Sequence, residues 1–154
     1  MKQMKKKNIV YYNTDSPEKT RSLGEEVAAT LCGGDILLLF GDLGAGKTTF
    51  VQGLAKKLGV STDVVSPTFT LCAVYPTKTK KIKQLVHIDT YRIHGPNELR
   101  DIGVEEYLGS PDTICVVEWP EKIESLLTKN MHTKKVMFSH EAPRKRHITI
   151  EEIA

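Results

Sequence analysis

At 154 residues, with 40% hydrophobic and 27% charged side chains, the chain has the length and balance of one folded domain with a sizeable core. Its net charge of +3 is too small to imply nucleic-acid binding by itself. No apolar run is long enough to cross a membrane, and the basic start Met1-Lys2-Gln3-Met4-Lys5-Lys6-Lys7 leads into too short an apolar stretch for a secretory signal. Cys32, Cys72 and Cys115 show neither metal-ligand spacing nor an even-numbered disulfide framework, so reduced core thiols in a cytoplasmic protein are expected.

Residues 8–12 read as a first strand, followed by Asn13-Thr14-Asp15-Ser16-Pro17, a turn with helix N-cap chemistry. Leu23, Val27, Ala28 and Leu31 mark the inner face of a helix that ends at Gly33-Gly34. The almost wholly apolar run Asp35-Ile36-Leu37-Leu38-Leu39-Phe40 predicts a strand buried on both faces. After the glycine-rich stretch that follows it, Phe50, Val51, Leu54 and Leu58 recur at helical spacing, with Gly59 placed as C-cap. Residues 60–67 form a polar loop. Residues 70–75 and 84–89 are strand-like and joined by the basic turn Pro76-Thr77-Lys78-Thr79-Lys80-Lys81, so this part of the sheet is antiparallel. Residues 96–108 predict a short helix broken near Gly103, and residues 113–118 a second buried strand. Pro120 suits the start of another helix, through Leu127. Residues 134–139 and 147–153 alternate apolar and polar side chains around Arg144-Lys145-Arg146, as in a closing antiparallel hairpin.

The chemistry centres on Gly41-Asp42-Leu43-Gly44-Ala45-Gly46-Lys47-Thr48-Thr49, a G-x-x-x-x-G-K-T loop set between a strand and a helix. Its glycines allow the backbone to turn its N–H groups inward, and the positive end of the following helix completes an anion cradle. Lys47 suits the β- and γ-phosphates of a nucleoside triphosphate, and the Thr48 hydroxyl suits Mg²⁺. Such a site needs an acid near the metal and a group that orients the attacking water. Asp89 and Glu118, each ending an apolar strand, are the candidates, and the sequence leaves open which dominates metal binding. Thr68, in Ser66-Pro67-Thr68-Phe69, stands where a γ-phosphate-sensing threonine belongs. Trp119, the single tryptophan, follows Glu118 and is a candidate nucleotide contact or a core residue. His87 shares the Asp89 face of its strand and reads as a buried histidine or a support for the acids.

Four motifs in order resemble the TsaE (YjeE) family of small P-loop ATPases in bacterial tRNA threonylcarbamoyladenosine synthesis: the phosphate loop, Ser66-Pro67-Thr68-Phe69, His87-Ile88-Asp89-Thr90-Tyr91-Arg92 and Val117-Glu118-Trp119-Pro120-Glu121. The first is common to many NTPases; the other three in combination are much more specific. The resemblance implies an α/β fold, three-layered and P-loop NTPase-like with a mixed parallel and antiparallel central sheet. It also implies Mg²⁺-dependent ATP and ADP binding, weak intrinsic ATPase activity, and work with TsaD and TsaB in modifying A37 of ANN-decoding tRNAs, with tRNA contact indirect. On the matching positions Lys47 holds phosphates, Thr48 and Glu118 serve Mg²⁺, and Thr68 and Asp89 take the switch and acidic positions.

Two other classes fit the P-loop. A small-molecule kinase needs an arginine-bearing lid, and only Arg92 and Arg100 lie between the phosphate loop and Glu118. A nucleotide-gated binding module needs no turnover at all. No Asn-Lys-x-Asp guanine-reading motif occurs, which argues against a GTPase. The Lys/Arg clusters near residues 5–7, 78–83 and 144–146 read as solvated edges or as faces for RNA or an acidic partner.

Overall fold

The computed structural model describes residues 8–67 and 70–153. Among these residues seven strands make one mixed sheet: β1 (Ile9–Thr14), β2 (Ile36–Phe40), β3 (Cys72–Pro76), β4 (Gln84–Asp89), β5 (Thr113–Glu118), β6 (Thr133–His140) and β7 (Arg146–Ile153). Their order across the sheet is β1-β7-β6-β2-β5-β4-β3. β2 lies between β5 and β6, parallel to both, and β4 is parallel to β5. β3 is antiparallel to β4, β7 to β6, and β1 to β7. A parallel block of four strands therefore has antiparallel strands on either side, and the expected mixed sheet is present.

The run that forms β2 serves both faces, as the period of two requires. Leu37 and Leu39 join the core under α1 (Pro17–Ala28) and α2 (Lys47–Lys57). Ile36 and Leu38 join the opposite core, with Leu99 of α3 (Pro96–Asp101) and Val104 and Ile123 of short 3₁₀ turns. Ser16 caps α1 by accepting from the Lys19 N–H at 3.2 Å, and Pro17 opens its first turn.

Two boundaries differ from expectation. α1 ends at Ala28 rather than at Gly33-Gly34, because the Thr30 hydroxyl donates to the Val27 carbonyl at 2.7 Å and competes with the helical ladder. Leu31 stays buried all the same. Residues 120–127 form two 3₁₀ turns, Pro120–Lys122 and Glu124–Leu126, in place of a helix. Ile123, between the two turns, and Leu126 are buried three residues apart, which matches three residues per turn. The cysteine expectation holds only in part. Cys115 is buried, and burial pushes its thiol up to about 12, but Cys72 is half-buried and Cys32 is exposed. Among the described residues no helix is long and apolar enough to cross a membrane.

Candidate functional site

Because β2, β4 and β5 run parallel, their last residues Phe40, Asp89 and Glu118 come to one edge of the sheet, where ligands bind in open α/β sheets. Asp89 is paired in register with Glu118. Glu118 alternates with Val116 and Ile114, and Asp89 with His87 and Leu85, so both acids share the α1/α2 face. Asp89 is 5% and Glu118 3% exposed. Ser66 joins them, its hydroxyl oxygen 2.9 Å from Asp89 Oδ2 and 3.1 Å from Glu118 Oε2. Thr90 pins the two strand ends by donating to the carbonyls of Glu118, at 3.1 Å, and Trp119, and the Tyr91 N–H donates to Asp89 Oδ1 at 2.9 Å.

Burial pushes the Glu118 carboxyl up, but His87, Ser66 and Lys47 together outweigh that and hold it below its ordinary value. His87 is fully buried, with Nε2 3.6 Å from Glu118 Oε2, beyond hydrogen-bond distance. Neither of its ring nitrogens has a hydrogen-bond partner among the described residues.

Lys47 starts α2 and is only 6% exposed. Its Nζ donates to the Gly41 carbonyl at 2.5 Å and stands 3.9 Å from the centroid of the Trp119 ring, a cation–π contact. Burial pulls the Lys47 ammonium below its usual range, against the pull of Glu118, Asp89, Asp42 and Glu121. Trp119 has a left-handed backbone (φ 57°), and its ring centroid is 4.9 Å from that of Tyr91. Leaving β5 through this turn folds the indole back across Lys47.

These groups open into a cleft of about 660 Å³. Leu43, Gly44, Gly46, Lys47, Thr48 and Thr49 form its floor, and Ser66, Asp89, Glu118, Trp119 and Tyr91 one wall. The first turn of α1 and the β6–β7 turn supply the far side, through Ser16, Pro17 and Thr20 and through Pro143, Arg144 and Arg146. Gly41 and Asp42 border a smaller neighbouring hollow against β6 instead, and the Ala45 methyl is buried in the core. Thr68 lies outside the described residues.

The cleft fits a magnesium nucleotide. Gly46 caps α2 with φ 103° and no side-chain acceptor, so the helix opens without a side-chain partner for its first amides. Among the described residues no three His, Cys, Asp or Glu side chains form a metal cage. Mg²⁺ needs none, since it is held by one or two protein oxygens together with phosphates and water. Thr48 and the Asp89–Glu118 pair offer oxygens for it in the cleft.

The sequence model described as "Threonylcarbamoyl adenosine biosynthesis protein TsaE" matches residues 14–148. The chain belongs to the TsaE family. The match takes in the phosphate loop, Ser66, Asp89, Glu118 and Trp119. Curated relatives named "tRNA threonylcarbamoyladenosine biosynthesis protein TsaE" include one from Bacillus subtilis, 41% identical over 127 residues (82% of this chain, 73% of the relative). A Streptomyces coelicolor relative of the same name is 44% identical over 108 residues, covering 69% of this chain and 71% of the relative. The crystal structure of Bacillus subtilis YdiB superposes with a TM-score of 0.71 at 30% identity, covering 98% of this chain and 90% of that one.

Sequence reasoning missed two residues of this TsaE-family site. Ser66 carried a signal in its place in the Ser66-Pro67-Thr68-Phe69 motif, where Thr68 is the residue with the expected switch role. Arg146 appeared only within a basic cluster, yet it contacts the phosphate loop through the carbonyls of Ala45 and Gly44.

Proposed function

We propose that this chain is a slow Mg²⁺-dependent ATPase that works with TsaD and TsaB in threonylcarbamoylation of A37 in ANN-decoding tRNAs, in the cytoplasm. Its fold is then a three-layered, P-loop NTPase-like one. The observation that carries this reading is the convergence of Lys47, the uncapped start of α2 and the Ser66-bridged Asp89–Glu118 pair in one cleft. The names of the curated relatives supply the pathway.

In this reading the amides of residues 44–48 and the Lys47 ammonium bind the phosphates. Lys47 exchanges the Gly41 carbonyl and the Trp119 face for phosphate oxygens as it does so. Thr48 and Glu118 would hold Mg²⁺, whose charge would offset that developing on the β- and γ-phosphates. Asp89, oriented by the Tyr91 N–H and Ser66, accepts a hydrogen bond from the attacking water, and Trp119 and Tyr91 shield that side of the cleft from bulk solvent. Thr68 senses the γ-phosphate.

A nucleotide-gated binding module is the second reading, favoured by one observation: Lys47 is already held by Gly41 and Trp119, so nucleotide binding itself moves a latch. Phosphate release from Mg·ATP, measured for the chain alone and with TsaD and TsaB, separates the two. The ATPase reading expects a low rate that rises with both partners. A flat rate despite ATP binding selects the gated module, and no ATP binding removes both.

A further inference from the structure

The phosphate loop is held by a residue far along the chain. Arg146, the first residue of β7, donates from Nε to the Ala45 carbonyl at 3.1 Å and from Nη2 to the Gly44 carbonyl at 3.2 Å. Its Nη1 lies 3.2, 3.0 and 3.2 Å from the carbonyl oxygens of Ala142, Pro143 and Lys145, which share its two N–H groups. One guanidinium thus ties five backbone carbonyls together, two on the loop and three on the β6–β7 turn.

We propose that Arg146 is a positioning residue for the phosphate-binding loop, one that fixes the orientation of the Gly44–Ala45 and Ala45–Gly46 peptides by holding their carbonyls. The inference rests on the nucleotide reading for its functional consequence. Across a trans peptide the carbonyl and the following N–H point in opposite directions. Holding the Gly44 carbonyl therefore directs the Ala45 N–H, which closes the loop's own turn on the Asp42 carbonyl at 3.1 Å. Holding the Ala45 carbonyl sends the Gly46 N–H away from Arg146. Gly46 sits at φ 103°, and a glycine has little preference of its own that would keep this peptide oriented. The restraint has to come from a neighbour.

Arginine suits that task because its five donors sit in a rigid planar fork. Lysine carries the same charge on a flexible stem with three donors at one point, and it cannot span the loop and the turn together. A loop held in its binding geometry beforehand does not lose that freedom when phosphate binds, so the affinity gain comes from preorganisation.

The test uses the full chain with R146K and R146A. Mg·ADP affinity is measured by titration calorimetry, and amide hydrogen exchange is followed in the absence of nucleotide. Both variants should bind Mg·ADP roughly tenfold or more weakly, as loss of charge-assisted hydrogen bonds implies. In both, amides 44–47 should exchange faster while those of Leu37–Leu39 in β2 stay as protected as before. If R146A fails to fold, R146K carries the comparison. Wild-type affinity and loop protection in R146K would overturn the proposal, since charge alone would then suffice. Faster exchange throughout β2 would also overturn it, by showing general destabilisation. Should the unaltered chain bind no Mg·ADP, the nucleotide reading falls, and the exchange data still decide whether Arg146 orders the loop.

Discussion

Lys47 sits between two demands. In the proposed role of phosphate ligand it must keep its charge, yet it is nearly buried, and burial works against that charge. The acids around it restore part of what is lost. A buried ammonium held mainly by one carbonyl and one indole face repays little of its desolvation, so Lys47→Ala should change ligand-free stability only slightly. The expected result is a Tm within about 4 °C of the unaltered chain and Mg·ADP affinity reduced roughly tenfold to hundredfold. Thermal melts and calorimetry check both, and a much larger fall in ligand-free Tm would make Lys47 a structural residue first. Glu118 gives a prediction with a sign. Its folded pKa lies below the ordinary 4.5, so its contribution to stability is full above the ordinary carboxylate range and is lost as pH falls through the lowered folded value. Glu118→Gln should therefore flatten the fall of Tm between about pH 5 and about pH 3, and should also cut phosphate release by on the order of a hundredfold. An unchanged acid slope would mean that the His87, Ser66 and Lys47 contacts do not favour its ionised form.

Between elements, α1 and α2 meet backbone to backbone. A Cβ added at Gly53 would come 2.0 Å from the Arg21 carbonyl, and one at Gly24 would come 2.2 Å from the Phe50 carbonyl. Backbone meets backbone at both points, so no side chain can yield to make room. Gly53→Ala must push the helices apart, at a cost of about 3 kcal/mol by overpacking, and it also moves the first turn of α1 away from the phosphate loop across the cleft. Denaturant unfolding with parallel Mg·ADP titration should show both losses; a stability within about 0.5 kcal/mol of the unaltered chain would mean that the helices can slide past the added methyl. This contact was not legible in the sequence, since neither glycine stands in a motif and their meeting depends on tertiary packing. The elements themselves were legible where apolar runs are long, as in β2 and β5, and where turn residues bracket them. The acids were legible because each ends such a run. The 120–127 segment was not legible as 3₁₀ turns, because Pro120 marks a helical start without deciding between 3.6 and three residues per turn. The contacts of Ser66 and Arg146 with the site stayed hidden for a common reason: each is made across a sequence separation that no local pattern spans.

For the whole molecule, the cleft is a meeting place of parts that lie far apart along the chain. The turn before α1, the phosphate loop, the Ser66 loop, the ends of β4 and β5 and the β6–β7 turn all border it. A ligand there adds contacts to all of these segments at once, so its binding energy appears as stability of the whole fold. Mg·ADP at about a hundred times its Kd should add about 2.7 kcal/mol, or a rise of roughly 5–10 °C in Tm for a chain of this size. The part played by metal is separable. If Thr48 and Glu118 hold Mg²⁺ against the phosphates, chelating the metal removes much of that rise, because ADP then brings its negative charge toward Asp89 and Glu118 with nothing between them. A calorimetric scan with ADP, with and without EDTA, makes the comparison. A rise that survives chelation in full would place the nucleotide on Lys47 and the loop amides alone, leaving the Ser66-bridged acids to act on water rather than on metal.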